Sequence, residues 1–377
     1  MLGLRESDLV AVRMPPGRGW LDVISDVRSS GGAFLPIDDR LPASEVDALL
    51  ARARPTTFFD GSTLTRLDDG EPCAPGLVIA TSGSSGEARA VCLSWDAVDA
   101  ATGASIARLG ATADEPWLSC LPLSHMGGLL VLLRAPALGA PLWFGPFEPG
   151  AALASIVPTQ LARAVRDGID LSSFKALLVG GAPLDEALTA RAPVVHTYGL
   201  TESAGGVVYD GVPLDGVRMR IAGDEIQLAG PTLMSGYRLD DAATTAAFTD
   251  DGWLRTRDAG IIADDTLIVH GRLDDVINTG GEKVWPDEVE PVLRAHPRVA
   301  DVAVAGRPDP EWGARVVAYV VPDGHPPTLH DLRAQCRELL APHKAPRELV
   351  LVEQLPRTAL GKIARARLLV DPDPHRR

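Results

Sequence analysis

The densest run of anion-binding chemistry in the chain is Thr81-Ser82-Gly83-Ser84-Ser85-Gly86-Glu87-Ala88-Arg89. Glycines let a backbone approach an anion closely and accept positive φ. The threonine and serines add hydroxyl donors, and successive amide N–H groups can form an anion nest. The run lacks the G-x-x-x-x-G-K-[ST] order of the common triphosphate loop, and a plain polar turn is the competing reading. A second segment, Tyr198-Gly199-Leu200-Thr201-Glu202-Ser203, comes directly after the apolar Val194-Val195-His196. A carboxylate beside a hydroxyl at a strand end suits Mg2+ shared with nucleotide phosphates. Tyr198 offers a ring face to a base; a loop with a solvated Glu202 is the alternative. In the segment Asp251 to Gly260, Asp258 could accept two hydrogen bonds from ribose hydroxyls. Asp251-Gly252 is at the same time a hairpin-turn signal. Gly271 to Lys283 and Pro356 to Ile363 are weaker segments, the latter with Lys362 directly after Gly361 as either a working cation or an exposed side chain. Only four lysines, at 175, 283, 344 and 362, stand among 36 basic residues, so a lysine inside a motif carries weight here.

These residues need elements to hold them. Leu77-Val78-Ile79-Ala80, Leu142-Trp143-Phe144, Ala176-Leu177-Leu178-Val179 and Val194-Val195-His196 read as short strands. Ser94 reads as the cap of a helix with Val98, Ala101, Ile106 and Leu109 on one face. Strand and helix alternating in this way predict a layered α/β architecture. Beyond a polar boundary at Gly271 to Asp275 the grain changes. Helices are expected over 286–296, with Val289, Val292 and Leu293 inward, and over 329–340, with Leu332, Cys336, Leu339 and Leu340 on one face. Strands are expected over 299–304, 315–321 and 347–352. The 377 residues therefore divide into a large layered α/β N-terminal domain, 1–272, and a small α+β C-terminal domain, 273–377.

Composition narrows the function classes. A net charge of −14 argues against nucleic acid as a partner and against a basic membrane-surface protein. The apolar stretch Leu129 to Phe144 is broken by Arg134, Pro136 and Pro141 and is too short to span a bilayer. Met1 to Glu6 has no basic and apolar export signal, so a soluble, cytoplasmic protein is expected. Cys73, Cys92, Cys120 and Cys336 lie far apart with no metal-ligand or redox spacing, which predicts core thiols in a reducing compartment.

Taken in order and at these separations, the five segments resemble the adenylate-forming superfamily of acyl-CoA synthetases, luciferases and peptide-synthetase adenylation domains, over about residues 30–365. The resemblance implies ATP, Mg2+ and coenzyme A as cofactors and co-substrates, and a mobile C-terminal domain that rotates between adenylation and thioester formation. It implies a phosphate-binding loop at Thr81, Ser82, Gly83, Ser84, Ser85, Gly86 and Arg89. On the same resemblance Gly181, Ala182 and Pro183 would line the adenine pocket, with Tyr198 against the base and Gly199 among the cofactor-binding residues. Thr201 contacts phosphate, and Glu202 is the Mg2+ carboxylate. Asp258 and Arg272 contact the ribose, Asp274 is the hinge, and Gly280 and Gly281 border the pantetheine tunnel. Lys362 is the catalytic lysine of adenylation. One departure stands out: the loop ends Ala88-Arg89-Ala90 where the family has Pro-Lys-Gly. Arginine keeps the charge but not the compact ammonium.

The compressed Ala204 to Val217, together with Ser155 to Leu161 and Leu121 to Gly128, resembles short actinobacterial o-succinylbenzoate–CoA ligases of menaquinone synthesis. That likeness puts His125 beside the acyl pocket, as a catalytic or gate residue, and Arg134 and Thr159 on the substrate side. Arg134 is a lone cation in an apolar run and needs a partner. The second carboxylate of a diacid and a structural group of the protein are the two candidates. The expected partner is a small-molecule carboxylic acid, with homodimer formation left open. Rival readings are a ligase for another aromatic or fatty acid, an enzyme loading a separate carrier protein, and a non-catalytic nucleotide-binding protein.

Overall fold

The computed structural model describes residues 2–81, 89–181, 186–357 and 363–369, without the side chains of 186 and 187. Two compact units emerge: Met1–Arg220 with Gln227–Thr256, and Ile221–Ile226 with Arg257–Arg377. The compact division falls upstream of the 272/273 boundary expected from the sequence. The reason is local. The hairpin of Leu254–Ala263 with Thr266–Arg272 sets Asp258 opposite Arg272, and Gly271 sits against Asp287 of the helix Pro286–Arg294. Compactness therefore groups the hairpin with the C-terminal elements.

The first unit holds two seven-stranded sheets. One runs Gly236–Tyr237, Arg89–Ser94, Gly76–Thr81, Ala33–Pro36, Leu9–Val12, Thr57–Phe59, Leu64–Arg66. Its central strands read as unbroken apolar runs because both faces are covered: Leu9 to Val12 and Ala33 to Leu35 are fully buried. The other runs Val212–Pro213, Gly205–Tyr209, Val194–Leu200, Ala176–Gly180, Leu153–Ile156, Trp117–Ser119, Leu142–Phe144. The helix Trp95–Leu109 touches strands of both sheets. Its cap is the expected one: Ser94 Oγ accepts from the Ala97 N–H at 3.1 Å. Val98 and Ala101 are buried as expected, but the face turns toward Thr102 and Ser105, leaving Ile106 and Leu109 half-buried.

The four cysteines distant in sequence are not all distant in space. Cys73 and Cys92 neighbour one another and the Arg238 guanidinium; Cys92 chiefly, with Arg238 assisting, draws the Cys73 thiol below its ordinary value. Arg238 itself is buried and donates to the carbonyls of Ala53, Arg54, Glu71 and Pro72, tying the edge strand Gly236–Tyr237 to the first sheet's far segments.

The second unit is built on the antiparallel pair Val299–Asp309 and Gly313–Pro322, with Glu348–Leu351 parallel to the latter. Helices Pro286–Arg294 and Leu329–Leu339 cover it through Val289, Leu293, Leu332 and Cys336. Leu339, expected inward, is 66% exposed. The helix ends there, so the turn that would carry it back to the sheet is missing, and Leu340 packs on the core instead. Among the described residues no helix is long and apolar enough to cross a membrane.

Candidate active site

Trp117–Ser119, Leu153–Ile156, Ala176–Gly180 and Val194–Leu200 are parallel neighbours. Their carboxyl ends therefore lie along one edge, the place where open α/β sheets bind ligands. That edge collects the loop leading to His125, the helix start at Thr159, Gly181 and the Tyr198 to Glu202 segment. The sequence suggests a loop after His196; instead the strand continues through Leu200, with Tyr198 opposite Val208. Two glycines make this possible. A Cβ on Gly199 would stand 2.0 Å from the Gly205 carbonyl oxygen, and one on Gly180 would stand 2.4 Å from Thr197 Oγ1. Thr201–Ser203 then forms one 3-10 turn, closed by Ser203 Oγ, which accepts from the Leu200 N–H at 2.9 Å and donates to its carbonyl at 3.0 Å. The turn projects Glu202 from the end of a central strand.

Glu202 has a partner that no motif points to. The Tyr237 hydroxyl donates to Glu202 Oε1 at 2.8 Å, across 35 residues of sequence. Met234 N–H also donates to the Glu202 carbonyl at 2.8 Å. Burial, with the Glu202 carboxylate beside it, pushes the Tyr237 phenol well above its ordinary value, so it stays a donor. The Arg89 guanidinium lies over the same ring, 5.0 Å from its centroid. Only the neighbouring Gly236, a turn signal, could have hinted at Tyr237; the pairing of Tyr237 with Val91 on the adjoining strand is a tertiary fact. Thr81 pairs with Arg89 at the mouth of the Ser/Gly loop. Ser82, Gly83, Ser84, Ser85 and Gly86, with Ala182, Pro183 and Lys362, lie outside the described residues.

Among the described residues no three His, Cys, Asp or Glu side chains gather as a metal cage. A single half-buried carboxylate beside the Thr201 hydroxyl fits Mg2+, a hard cation that keeps several waters and shares one or two carboxylates with phosphates.

On the acid side, His125 precedes the helix Met126–Leu138 and its carbonyl accepts from Gly128 and Leu129 N–H groups at 3.1 and 2.9 Å. The helix start presses on the preceding loop: a Cβ on Gly128 would meet the Pro122 oxygen at 2.3 Å. Asp38 is held below the usual carboxylate range, chiefly by Arg40, with His125 contributing. Arg134 is 2% exposed, donates to the Tyr209 hydroxyl at 3.2 Å and lies over Trp117 at 5.8 Å. Its Nε has no hydrogen-bond partner, and burial pulls its pKa down. Thr159 stands exposed in the first turn of Pro158–Arg166.

In the second unit Arg272 Nη1 donates to the buried Asp258 Oδ1 at 2.9 Å, so the two expected ribose contacts are brought together. Asp274 receives Arg257 Nη2 at 2.6 Å, both side chains more than half exposed. Gly280 and Gly281, both at positive φ, are the two-residue tip of a hairpin in which Thr279 faces Glu282. The bridge Arg357 to Ile363 flanks the segment carrying Lys362. Beyond that bridge, Arg365 is gripped by Asp275, Asp287 and Glu290 at 3.1, 3.0 and 2.7 Å. Sequence reading misses this cluster, because its members come from separate stretches of chain.

A fold with these contents defines a nucleotide-dependent, acid-activating class, and comparison with known proteins agrees. The AMP-binding enzyme family model matches residues 66–238, and that of the AMP-binding enzyme C-terminal domain matches 288–362. The chain belongs to the AMP-binding enzyme family. It is 40% identical over 323 residues to the "Probable 2-succinylbenzoate--CoA ligase" of Mycobacterium tuberculosis, covering 78% of this chain and 83% of that one. Among solved structures it resembles o-succinylbenzoate CoA synthetase (MenE) from Bacillus subtilis in complex with the acyl-adenylate intermediate, with a TM-score of 0.87, 25% identity, and coverage of 98% and 89%. The same enzyme with ATP and magnesium ion matches with a TM-score of 0.85, 25% identity, and coverage of 97% and 90%.

Proposed function

We propose that this chain is an ATP-dependent, AMP-forming ligase that converts o-succinylbenzoate and coenzyme A to o-succinylbenzoyl-CoA, a step of menaquinone synthesis. The observation that carries it is the 40% identity to a protein of that name over most of both chains, joined to a fold shared with a structure holding the corresponding acyl-adenylate.

In the first half-reaction a substrate carboxylate oxygen attacks the α-phosphorus of ATP and pyrophosphate leaves. The reacting groups are already ionised, so the protein contributes position and charge rather than proton transfer. Glu202 would hold the cation and Thr201 the phosphate, and Mg2+ bound there would neutralise charge on the leaving group. Asp258 with Arg272 would hold the ribose, Tyr198 and Gly181 the base, and Lys362 the charge between carboxylate and α-phosphate. In the second half-reaction the thiol sulfur of coenzyme A attacks the acyl carbon, its proton goes to solvent, and AMP leaves. Asp274 is the hinge on which the C-terminal domain exchanges Lys362 for the Gly280-Gly281 edge. Arg134 is the counterion of the spectator carboxylate, with His125 and Thr159 bordering the acid.

The test is a panel of acids scored for CoA-thioester and AMP formation. o-Succinylbenzoate should give the highest kcat/KM. Turnover of another acid in its place overturns the substrate; pyrophosphate release with no thioester on free coenzyme A overturns the acceptor.

A further inference from the structure

Arg89 opens the strand Arg89–Ser94, and its guanidinium lies over the Tyr237 ring. The guanidinium does not pair with Glu202: among the described residues no cation lies within ion-pair reach of that carboxylate. Both groups meet the Tyr237 side chain instead: the Arg89 guanidinium lies 5.0 Å from its ring centroid, and Glu202 Oε1 accepts from its hydroxyl at 2.8 Å. We infer that Tyr237 is a positioning residue of the nucleotide-metal site, orienting Glu202 through its hydroxyl and holding Arg89 on its own side chain rather than on that carboxylate. The inference rests on the ATP-ligase reading for the nucleotide only and is independent of the acid.

The chemistry rests on the two faces of a phenol. A glutamate on a single turn of chain keeps rotamer freedom that a demanding octahedral cation would have to remove. A hydroxyl donor on Oε1 removes it beforehand. Tyr237 can do so because its own backbone is clamped: it pairs with Val91, and its N–H donates to Thr244 Oγ1 at 2.8 Å. The flat, weakly hydrated guanidinium stacks on an aromatic face where an ammonium makes a poorer fit. Parked there, Arg89 keeps its charge at the mouth of the phosphate loop without competing with Mg2+ for Glu202.

The experiment measures ATP binding by calorimetry without acid or coenzyme A, titrating Mg2+, with thermal melts as the folding control. Tyr237→Phe keeps the ring and loses the donor; the Mg2+ midpoint should rise about tenfold, the effect of losing a hydrogen bond to a charged group. Tyr237→Leu also releases Arg89, so the midpoint should rise further. An unchanged midpoint in Tyr237→Phe overturns the orienting role. Equal midpoints for Tyr237→Phe and Tyr237→Leu overturn the spacing role, and if Tyr237→Leu does not fold, Tyr237→Met, which likewise removes both ring and donor, takes its place in that comparison. A wild-type protein that binds no Mg2+-dependent ATP overturns the ligase reading and this inference with it.

Discussion

Arg134 reaches the Tyr209 hydroxyl at 3.2 Å, and that hydroxyl is held in turn by Ser105 Oγ at 2.8 Å. The guanidinium therefore has a neutral partner and, among the described residues, no carboxylate. A buried cation in that position lacks most of what would offset its desolvation. A diacid supplying its second carboxylate would complete the pair.

Arg134→Leu should accordingly keep or raise the melting temperature of the ligand-free protein, since leucine suits the apolar wall. It should also raise KM for o-succinylbenzoate by an amount corresponding to ~2–5 kcal/mol. The check is the ratio of kcat/KM for the diacid to that for a monoacid analogue, in both proteins. A lower melting temperature with an unchanged ratio would make Arg134 a structural residue held by Tyr209.

Glu202→Gln keeps an acceptor for the Tyr237 hydroxyl and removes only the charge. Adenylation should fall by ~10²–10³ and the Mg2+ requirement should rise, while the melting temperature stays close to that of wild type. Pyrophosphate release against Mg2+ concentration reads this directly, and an unshifted curve would assign the cation to another residue.

Asp274→Pro should slow one half-reaction far more than the other, because proline holds φ near about −65° and a hinge there loses its range. The Arg257–Asp274 pair is exposed, so breaking it by Arg257→Ala should change stability by about 1 kcal/mol or less. Adenylation and thioester formation from supplied acyl-adenylate, measured separately, distinguish the hinge from a surface ion pair; equal effects on both would move the hinge elsewhere.

Asp331 gives a pH dependence of known sign. Its carboxylate accepts from the Thr328 N–H at 2.9 Å and pairs with Arg298, holding its pKa down to about 2 from 3.8. The folded value is the lower one, so the contribution to stability is complete above the unfolded value and is lost as pH falls through the folded one. The difference in melting temperature between wild type and Asp331→Asn should be constant at neutral pH and shrink as pH falls from about 4 toward 2. A difference that stays constant over that window would place the stabilisation in the helix cap alone.

The features legible in the linear chain are those that depend on neighbouring residues. Gly199, the Thr201-Glu202 pair and the Gly280-Gly281 tip can be read there because a close approach, a short turn and positive φ each demand particular residues at adjacent positions. The strands at 77–80, 142–144 and 176–179 and the helices after Ser94, from 286 and from 329 are legible for the same reason, apart from their ends: Leu339 turns outward because a helix's last turn is settled by what it meets. Other relationships exist only in the folded molecule: Tyr237 against Glu202, Arg238 across four carbonyls, Cys73 against Cys92, and Arg365 among three acids. Each joins segments distant along the chain, through sheet pairings and packing that leave no periodic trace in sequence. Burial likewise turns Arg134 from an odd cation in an apolar run into a charge without a counterion among the described residues, because desolvation is set by the atoms that close over a side chain and not by the residues beside it.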